Sequence, residues 1–200
     1  MGEDYRFGKN REGNIELLKS YAPHYNFEVV VAGPIKMATA LADRISSTKI
    51  RELVADGQME RAEKMLGRNY QIRGSVVSGR DRGGKLLGIP TANINLRDEL
   101  CPKTGIYAVT VECEGFQYRG VANIGYSPTF DDNQFTVEVH ILDFNKNIYG
   151  KPIRVNFIKR IRDEKKFSNI AELVDQIKLD IIAARDILAK WLTHQRRSIK

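Results

Sequence analysis

Thr91 and Asn93 stand one residue apart behind a proline in "GIPTAN", residues 88 to 93, and Glu138 stands alone among β-formers in "TVEVHI", residues 136 to 141. Pro90 fixes its own φ and biases Ile89 toward extended backbone. In an extended chain Thr91 Oγ1 and Asn93 Oδ1 then fall on one side. Two neutral oxygens of this kind suit a Mg²⁺ ion that keeps waters and phosphate oxygens as its other ligands. The same pair also suits an ST-turn or Asx-turn that satisfies local amides. Upstream, Gly79, Gly83, Gly84 and Gly88 are interleaved with Arg80, Arg82 and Lys85. Glycines let the backbone approach an anion closely, and the basic side chains add charge. An unliganded basic hairpin loop would have the same composition. It is not a Walker motif, because no Gly-Lys-Ser/Thr step follows. Strict alternation puts Phe135, Val137, Val139 and Ile141 on one strand face and Thr136, Glu138 and His140 on the other. Glu138 is therefore a candidate base, although a solubilising carboxylate would be acceptable there too, and His140 reads as a partly exposed strand histidine. Phosphate cradle, cation ligands and base together form the minimum set for phosphoryl transfer to a hydroxyl.

The elements that must hold these groups change character near residue 70. Before it the pattern is α/β. Gly13-Asn14 leads into the helical stretch "NIELLKSYA", and "NFEVVVAGP" at 26 to 34 reads as a buried strand. Ser47 or Thr48 can cap a helix holding Ile50, Leu53 and Val54 that Gly57 ends; Met59, Ala62, Met65 and Leu66 line a second helix closed by Gly67. One strand with three short helices cannot cover both faces of a sheet, so this segment reads as part of a domain. From Tyr70 the period drops to two in "YQIRGSVVSG", "GIYAVTVEC", "FQYRGVANIG", "FTVEVHILDF" and "IRVNFIKRI". The spacing leaves no room for crossover helices between the central strands, which predicts an antiparallel sheet closed into a small barrel. A long final helix follows. Asn169 is its N-cap with Glu172 at N3, and its stripe of Ile170, Leu173, Val174, Ile177, Ile181, Ala184, Leu188 and Trp191 is expected to pack on the barrel. Residues 193–200 read as a frayed basic tail.

Composition narrows the classes. The formal charge of +7 sits in clusters at Arg80 to Lys85, Lys159 to Lys166 and Arg196 to Lys200, which suit an anionic small molecule as well as nucleic acid. Cys101 and Cys113 form no CxxC pair, so neither a disulfide framework nor a zinc site is expected, and a reducing, cytoplasmic interior is the default. No apolar run is long enough for a membrane span, and no secretory leader opens the chain.

Several separated motifs agree on a resemblance. "GIPTAN", "GVANIGYSPTF", "VEVHILDF", "IYGK" at 148 to 151 and "RIRDEKKF" at 160 to 167 occur in the order found in the riboflavin kinase module of the bacterial bifunctional enzymes that make FMN and then FAD. Residues 70 to about 190 resemble that module, with Gly83-Gly84-Lys85 where a Gly-Arg step is usual. The resemblance implies a mainly β fold, a six-stranded antiparallel barrel with a C-terminal helix. It implies transfer of the γ-phosphoryl group of ATP to riboflavin with Mg²⁺, giving FMN and ADP. Thr91 and Asn93 would bind Mg²⁺ and nucleotide phosphate, with Gly79, Arg82, Gly83, Gly84, Lys85 and Gly88 beside them. Glu138 would be the base, and Arg162, Glu164 and Phe167 would belong to a flap near the flavin. Residues 1–66 resemble the closing third of the companion adenylyltransferase domain through "GEDYRFGKNREGN" and "ISSTKIRELVADG", where Ser46, Ser47, Thr48 and Arg51 would be a vestigial ATP-phosphate site at a helix start. None of His24, His140 and His194 stands in an HxGH-type turn, so FAD synthesis is expected to be absent. The expected boundaries are 1–66 for this remnant, 67–192 for the barrel domain and 193–200 for the tail. The expected partners are small-molecule substrates, without nucleic acid or membrane, and self-association through the first segment is open. Two other readings compete: a non-catalytic flavin-binding or regulatory module, and an RNA-binding barrel served by the basic clusters.

Overall fold

The computed structural model describes residues 2, 4–33, 45–78, 88–96, 99–128 and 133–198. The chain divides into two compact units, residues 1–47 and 48–200. Helices that sequence groups with the first segment therefore pack with the barrel instead, and the units part earlier than the 66/67 boundary.

In the first unit, helix α1 (Ile15–Tyr25) starts at Asn14, whose side-chain oxygen accepts from the Leu17 amide at 2.8 Å, and it ends at Asn26 in the left-handed region with φ 53°. The strand expected over 26–34 is not formed in the described part of that span. Residues 27–33 carry one isolated bridge, Ala32 to Gly2, and Phe27 and Val30 are exposed. An apolar run becomes a strand only where a neighbouring strand takes its backbone hydrogen bonds in a continuous ladder.

The second unit opens with α2 (Ser47–Ala55) and α3 (Met59–Leu66). Leu53, Val54, Met59, Ala62 and Met65 are buried, and Gly67 closes α3 with φ 69°. The salt bridge from Lys159 to Glu60, 2.8 Å, ties α3 to the sheet. Six strands follow: β1 (Tyr70–Val77), β2 (Ala92–Leu96), β3 (Gly105–Cys113), β4 (Phe116–Pro128), β5 (Asn133–Ile141) and β6 (Pro152–Arg162). They pair antiparallel in the order β1-β2-β5-β4-β3-β6, and β6 returns to β1 to close the barrel.

Register separates the two faces of the sheet. Ile72, Val76, Ile94, Tyr107, Val109, Ala122, Ile124, Val137, Val139, Val155 and Phe157 oppose one another across the ladders and are buried, forming the barrel interior. β6 breaks the alternation where its register with β3 slips between Ala108 and Val109. Ile158 is the extra residue: it follows the inward Phe157 on the outer face, unpaired in the ladder, and Lys159 takes the place opposite Ala108; Phe157 and Ile158 are both buried, on opposite faces. Outside, Ala108 and Ile158 pack with Ala184 and Leu188 of helix α4 (Ile170–Ser198), joined by Val121, Ile161, Ile187 and Trp191. The expected cap is present: the Glu172 amide donates to Asn169 Oδ1 at 2.9 Å while Asn169 Nδ2 donates to Glu172 Oε1 at 3.1 Å. The helix backbone continues to Ser198, so the stretch expected to fray from 193 onward is helical up to that residue. Both cysteines are free thiols.

Candidate functional site

One lateral row of the sheet gathers the polar groups. Asn93 on β2 is the register partner of Glu138 on β5; Glu138 is the partner of Asn123 on β4; Asn123 is the partner of Ile106 on β3; and Ile106 is the partner of Arg162 on β6. Glu138 lies between the inward Val137 and Val139, so the row faces outward. This outer face carries α4, and between helix and sheet lies a cavity of about 310 Å³. Ile106, Val121, Leu173, Ile177 and Ile181 form its apolar walls, while Thr91, Asn123, Glu138, His140 and Asp180 are the polar groups set into them. Burial in this setting pushes the Glu138 carboxyl above the ordinary glutamate range.

The segment after β6 reaches across the same cavity. Residues 163–167 have no regular secondary structure, and Glu164, Lys165 and Phe167 line the cavity. Both ends of the turn into this segment are anchored. Arg160 Nη2 donates to the Thr104 carbonyl at 2.5 Å and to Asp163 Oδ1 at 2.6 Å, and this contact holds the Asp163 carboxyl below its usual range. Arg162 forms a two-pronged pair with Asp180, Nε to Oδ1 at 2.8 Å and Nη2 to Oδ2 at 2.6 Å, with Gln176 Nε2 also donating to Oδ1 at 3.1 Å. The Asp180 side chain is only 5% exposed, so this pair fastens the end of β6 to α4 out of solvent. The Arg162 and Lys165 cations lie 6.0 and 5.7 Å from the Phe167 ring centroid. Gly125 on β4 makes room for the strap, because a Cβ there would overlap the Glu164 carboxylate. Gly105, with φ 141°, does the same at the start of β3, where a Cβ would lie 2.7 Å from Arg160 Nη2.

Thr91 lines a second cavity as well. This one is about 500 Å³ and is bounded by Val76, Pro90, Ala92, Val139, Ile141 and residues 144–149. Thr91 thus stands at the wall between the two spaces. His140 Nδ1 lies 2.8 Å from the carbonyl oxygen of Pro90.

Of the residues singled out by sequence, the structure brings Thr91, Glu138, Arg162, Glu164 and Phe167 to one cavity. Asn93 is next to Glu138 in register but does not line either cavity, and Gly88 is exposed with φ 65° just before the Ile89-Pro90 turn. Gly79, Arg82, Gly83, Gly84 and Lys85 lie outside the described residues. Ser46 precedes α2; Ser47, Thr48 and Arg51 are exposed in its first turns, apart from the lining of both cavities. Arg162 differs from expectation in one respect: most of its donors are committed to Asp180 and the Asp163 carbonyl at 2.8 Å, so it is a fixed part of the wall. Asn123 and Asp180 were not singled out. Each carried a signal: Asn123 shares strand parity with the outward Val121, and Asp180 interrupts the apolar stripe of α4 between Ile177 and Ala184. Among the described residues no three His, Cys, Asp or Glu side chains cluster as metal ligands, and no helix is long and apolar enough to cross a membrane.

Residues 66–188 match the family model of riboflavin kinase, and residues 1–49 match that of FAD synthetase. A bifunctional riboflavin kinase/FMN adenylyltransferase of Listeria monocytogenes is 39% identical over 191 residues, covering 94% of this chain and 59% of the relative. The Escherichia coli protein of the same description is 40% identical over 187 residues, covering 93% and 58%. The chain therefore spans somewhat under three fifths of the length of these curated relatives. A solved structure described as a macrolide-efflux protein from Streptococcus pneumoniae superposes with a TM-score of 0.76 at 40% identity, covering 92% of this chain and 58% of that one.

Proposed function

The chain belongs to the riboflavin kinase family, and from that premise we propose that it transfers the γ-phosphoryl group of ATP to the terminal hydroxyl of the ribityl chain of riboflavin, giving FMN and ADP. The observation that carries this reading is the placement of Glu138. It is a carboxylate in the wall of a largely apolar cavity, in register between Asn93 and Asn123 and next to the wall that Thr91 shares with a second cavity. A flavin ring needs apolar walls, which Ile106, Val121, Phe167, Leu173, Ile177 and Ile181 supply, and a cavity of about 310 Å³ is at the small end of ligand pockets. The nucleotide is assigned to the second cavity, with its phosphates toward Thr91; Gly79 and Arg82 to Lys85 are proposed as further phosphate contacts on their composition alone. Glu138 accepts the hydroxyl proton as the oxygen attacks. Its raised pKa makes it a stronger base than an exposed glutamate.

Mg²⁺ belongs to this proposal through the donor set. Thr91 and Asn93 offer neutral oxygens, which fits an ion that would keep waters and phosphates as its remaining ligands. Bound with ATP it would supply charge neutralisation on the phosphate oxygens. Thr91→Val and Asn93→Leu preserve shape while removing the oxygen. Each should weaken Mg-ADP by about tenfold or more, the range of a hydrogen bond to a charged group, with much less change for riboflavin. Calorimetric titration with each ligand checks this, and equal losses for both would assign the pair to local turn structure instead.

The direct test of the function is incubation with riboflavin and Mg-ATP followed by separation of flavins: FMN supports it, and bound flavin without product refutes it. Adenylyl transfer is not part of the assignment, since no histidine of these 200 residues stands in an HxGH-type turn. Prolonged incubation of this polypeptide with FMN and Mg-ATP should give no FAD above a protein-free blank. The two free thiols suit a cytoplasmic setting. Exposed Phe27 and Val30 keep self-association through the first unit within the proposal, with sedimentation as its measure.

A further inference from the structure

The pairing of β2 with β5 stops one step short of the residue that matters. Ladder partners are Asn93 with Glu138 and Ala92 with Val139. Continued by one residue, the register would set Thr91 opposite His140, but the described ladder ends at Ala92. Pro90 contributes no N–H to prolong it. In place of the next ladder bond the His140 ring reaches one residue further, Nδ1 to the Pro90 carbonyl at 2.8 Å. A carbonyl oxygen only accepts, so Nδ1 carries the proton. His140 thereby ties β5, which holds Glu138, to the turn that delivers Thr91. Ile89, Thr91 and His140 all line the first cavity, and Pro90 and Thr91 line the second.

We propose that His140 is a positioning residue that sets Thr91 in the wall between the two cavities by donating from Nδ1 to the Pro90 carbonyl. Its consequence is asymmetric. Loss of the bond frees the Pro90-Thr91 turn, which the kinase reading assigns to the nucleotide side; on the flavin side it reaches only the edge formed by Ile89, Thr91 and residue 140, and leaves the walls from Ile106, Val121, Leu173, Ile177 and Ile181 as they are. The inference rests on that reading for the identity of the ligand affected, and on the hydrogen bond alone for its geometry.

Two measurements separate the inference from the reading beneath it. The first uses chain labelled with ¹⁵N in its three histidines, in mildly alkaline buffer. Long-range ¹H–¹⁵N correlations should show His140 as the Nδ1–H tautomer, and the Nε2–H tautomer that free imidazole favours would overturn the inference whatever the protein catalyses. The second compares His140→Phe, which keeps ring bulk without a donor, with His140→Asn, whose amide nitrogen sits near the Nδ1 position. His140→Phe should raise the KM for ATP and the Kd for Mg-ADP about fivefold, the effect of one neutral hydrogen bond. Riboflavin affinity should change far less, and His140→Asn should recover most of the loss. Equal effects on both ligands, or an Asn variant no better than Phe, would reduce His140 to a general structural part. Failure of the unsubstituted chain to form FMN would strike the kinase reading alone, with the tautomer still deciding the hydrogen bond.

Discussion

Glu138→Gln lowers kcat by about 10²-fold or more, the usual loss when a general base is removed, while the barrel stays folded. The amide keeps the size and most of the hydrogen bonding of the carboxylate but takes up no proton. Its effect on stability has the opposite sign. Burial raises the Glu138 pKa, so the folded chain holds that proton more tightly than the unfolded chain does. The stability linked to the protonated form is complete below the unfolded pKa and is lost as pH rises through the folded one. At neutral pH the wild type therefore carries an unfavourable ionisation that the glutamine variant lacks. Thermal unfolding should show Glu138→Gln more stable than wild type near neutrality, with the difference vanishing in acid. Activity of the wild type should fall with acidification on a limb above the ordinary glutamate range, because the base works only when ionised. Near-normal turnover in the variant would remove Glu138 from the reaction.

Asp180→Ala destabilises the second unit by about 3 kcal/mol, the lower end for breaking one side of a buried ion pair. The Arg162 side chain is 22% exposed and would be left without its main acceptor, which favours the lower end. For a domain of this size that corresponds to a fall in Tm of roughly 6 to 12 °C. The double variant Arg162→Met with Asp180→Leu should recover much of the loss, because the penalty comes from the stranded guanidinium more than from the missing attraction. Calorimetric melting of the three variants decides between these effects. A double variant as unstable as Asp180→Ala would mean that the pair itself, and not its separation, holds α4 to β6.

The site was unevenly legible. Glu138 could be placed from "TVEVHI" because period-two alternation on a half-covered strand is a direct record of facing. The Asn169 cap was equally plain, since Asn and Glu three apart perform one local task. β2 was harder to read. Five residues behind Ile89-Pro90 fit a strand or an ordered loop, and only pairing with β1 and β5 settles which. The apolar run "FEVVVA" misled for the converse reason: it has the composition of a strand, but composition does not supply a neighbour. Asp180 was hidden because a single acid in a helical stripe looks like a solvated interruption until Arg162 arrives from another element. Asn123 and His140 depend likewise on register, which relates residues far apart in sequence.

Closure of the barrel by β1 and β6 also bears on how the protein comes to exist. The first and last strands of the domain are hydrogen-bonded neighbours, so the final ladder joins segments that the ribosome makes far apart in time. Until β6 emerges, β1 and β3 each present an unpaired edge, and the row from Asn93 to Arg162 is missing its last member. Such non-local pairing places the domain among slow folders, on the scale of milliseconds to seconds. A nascent chain arrested before β6 has the Glu138 strand but not the far wall of its cavity, so the cavity is complete only after nearly the whole domain has been synthesised.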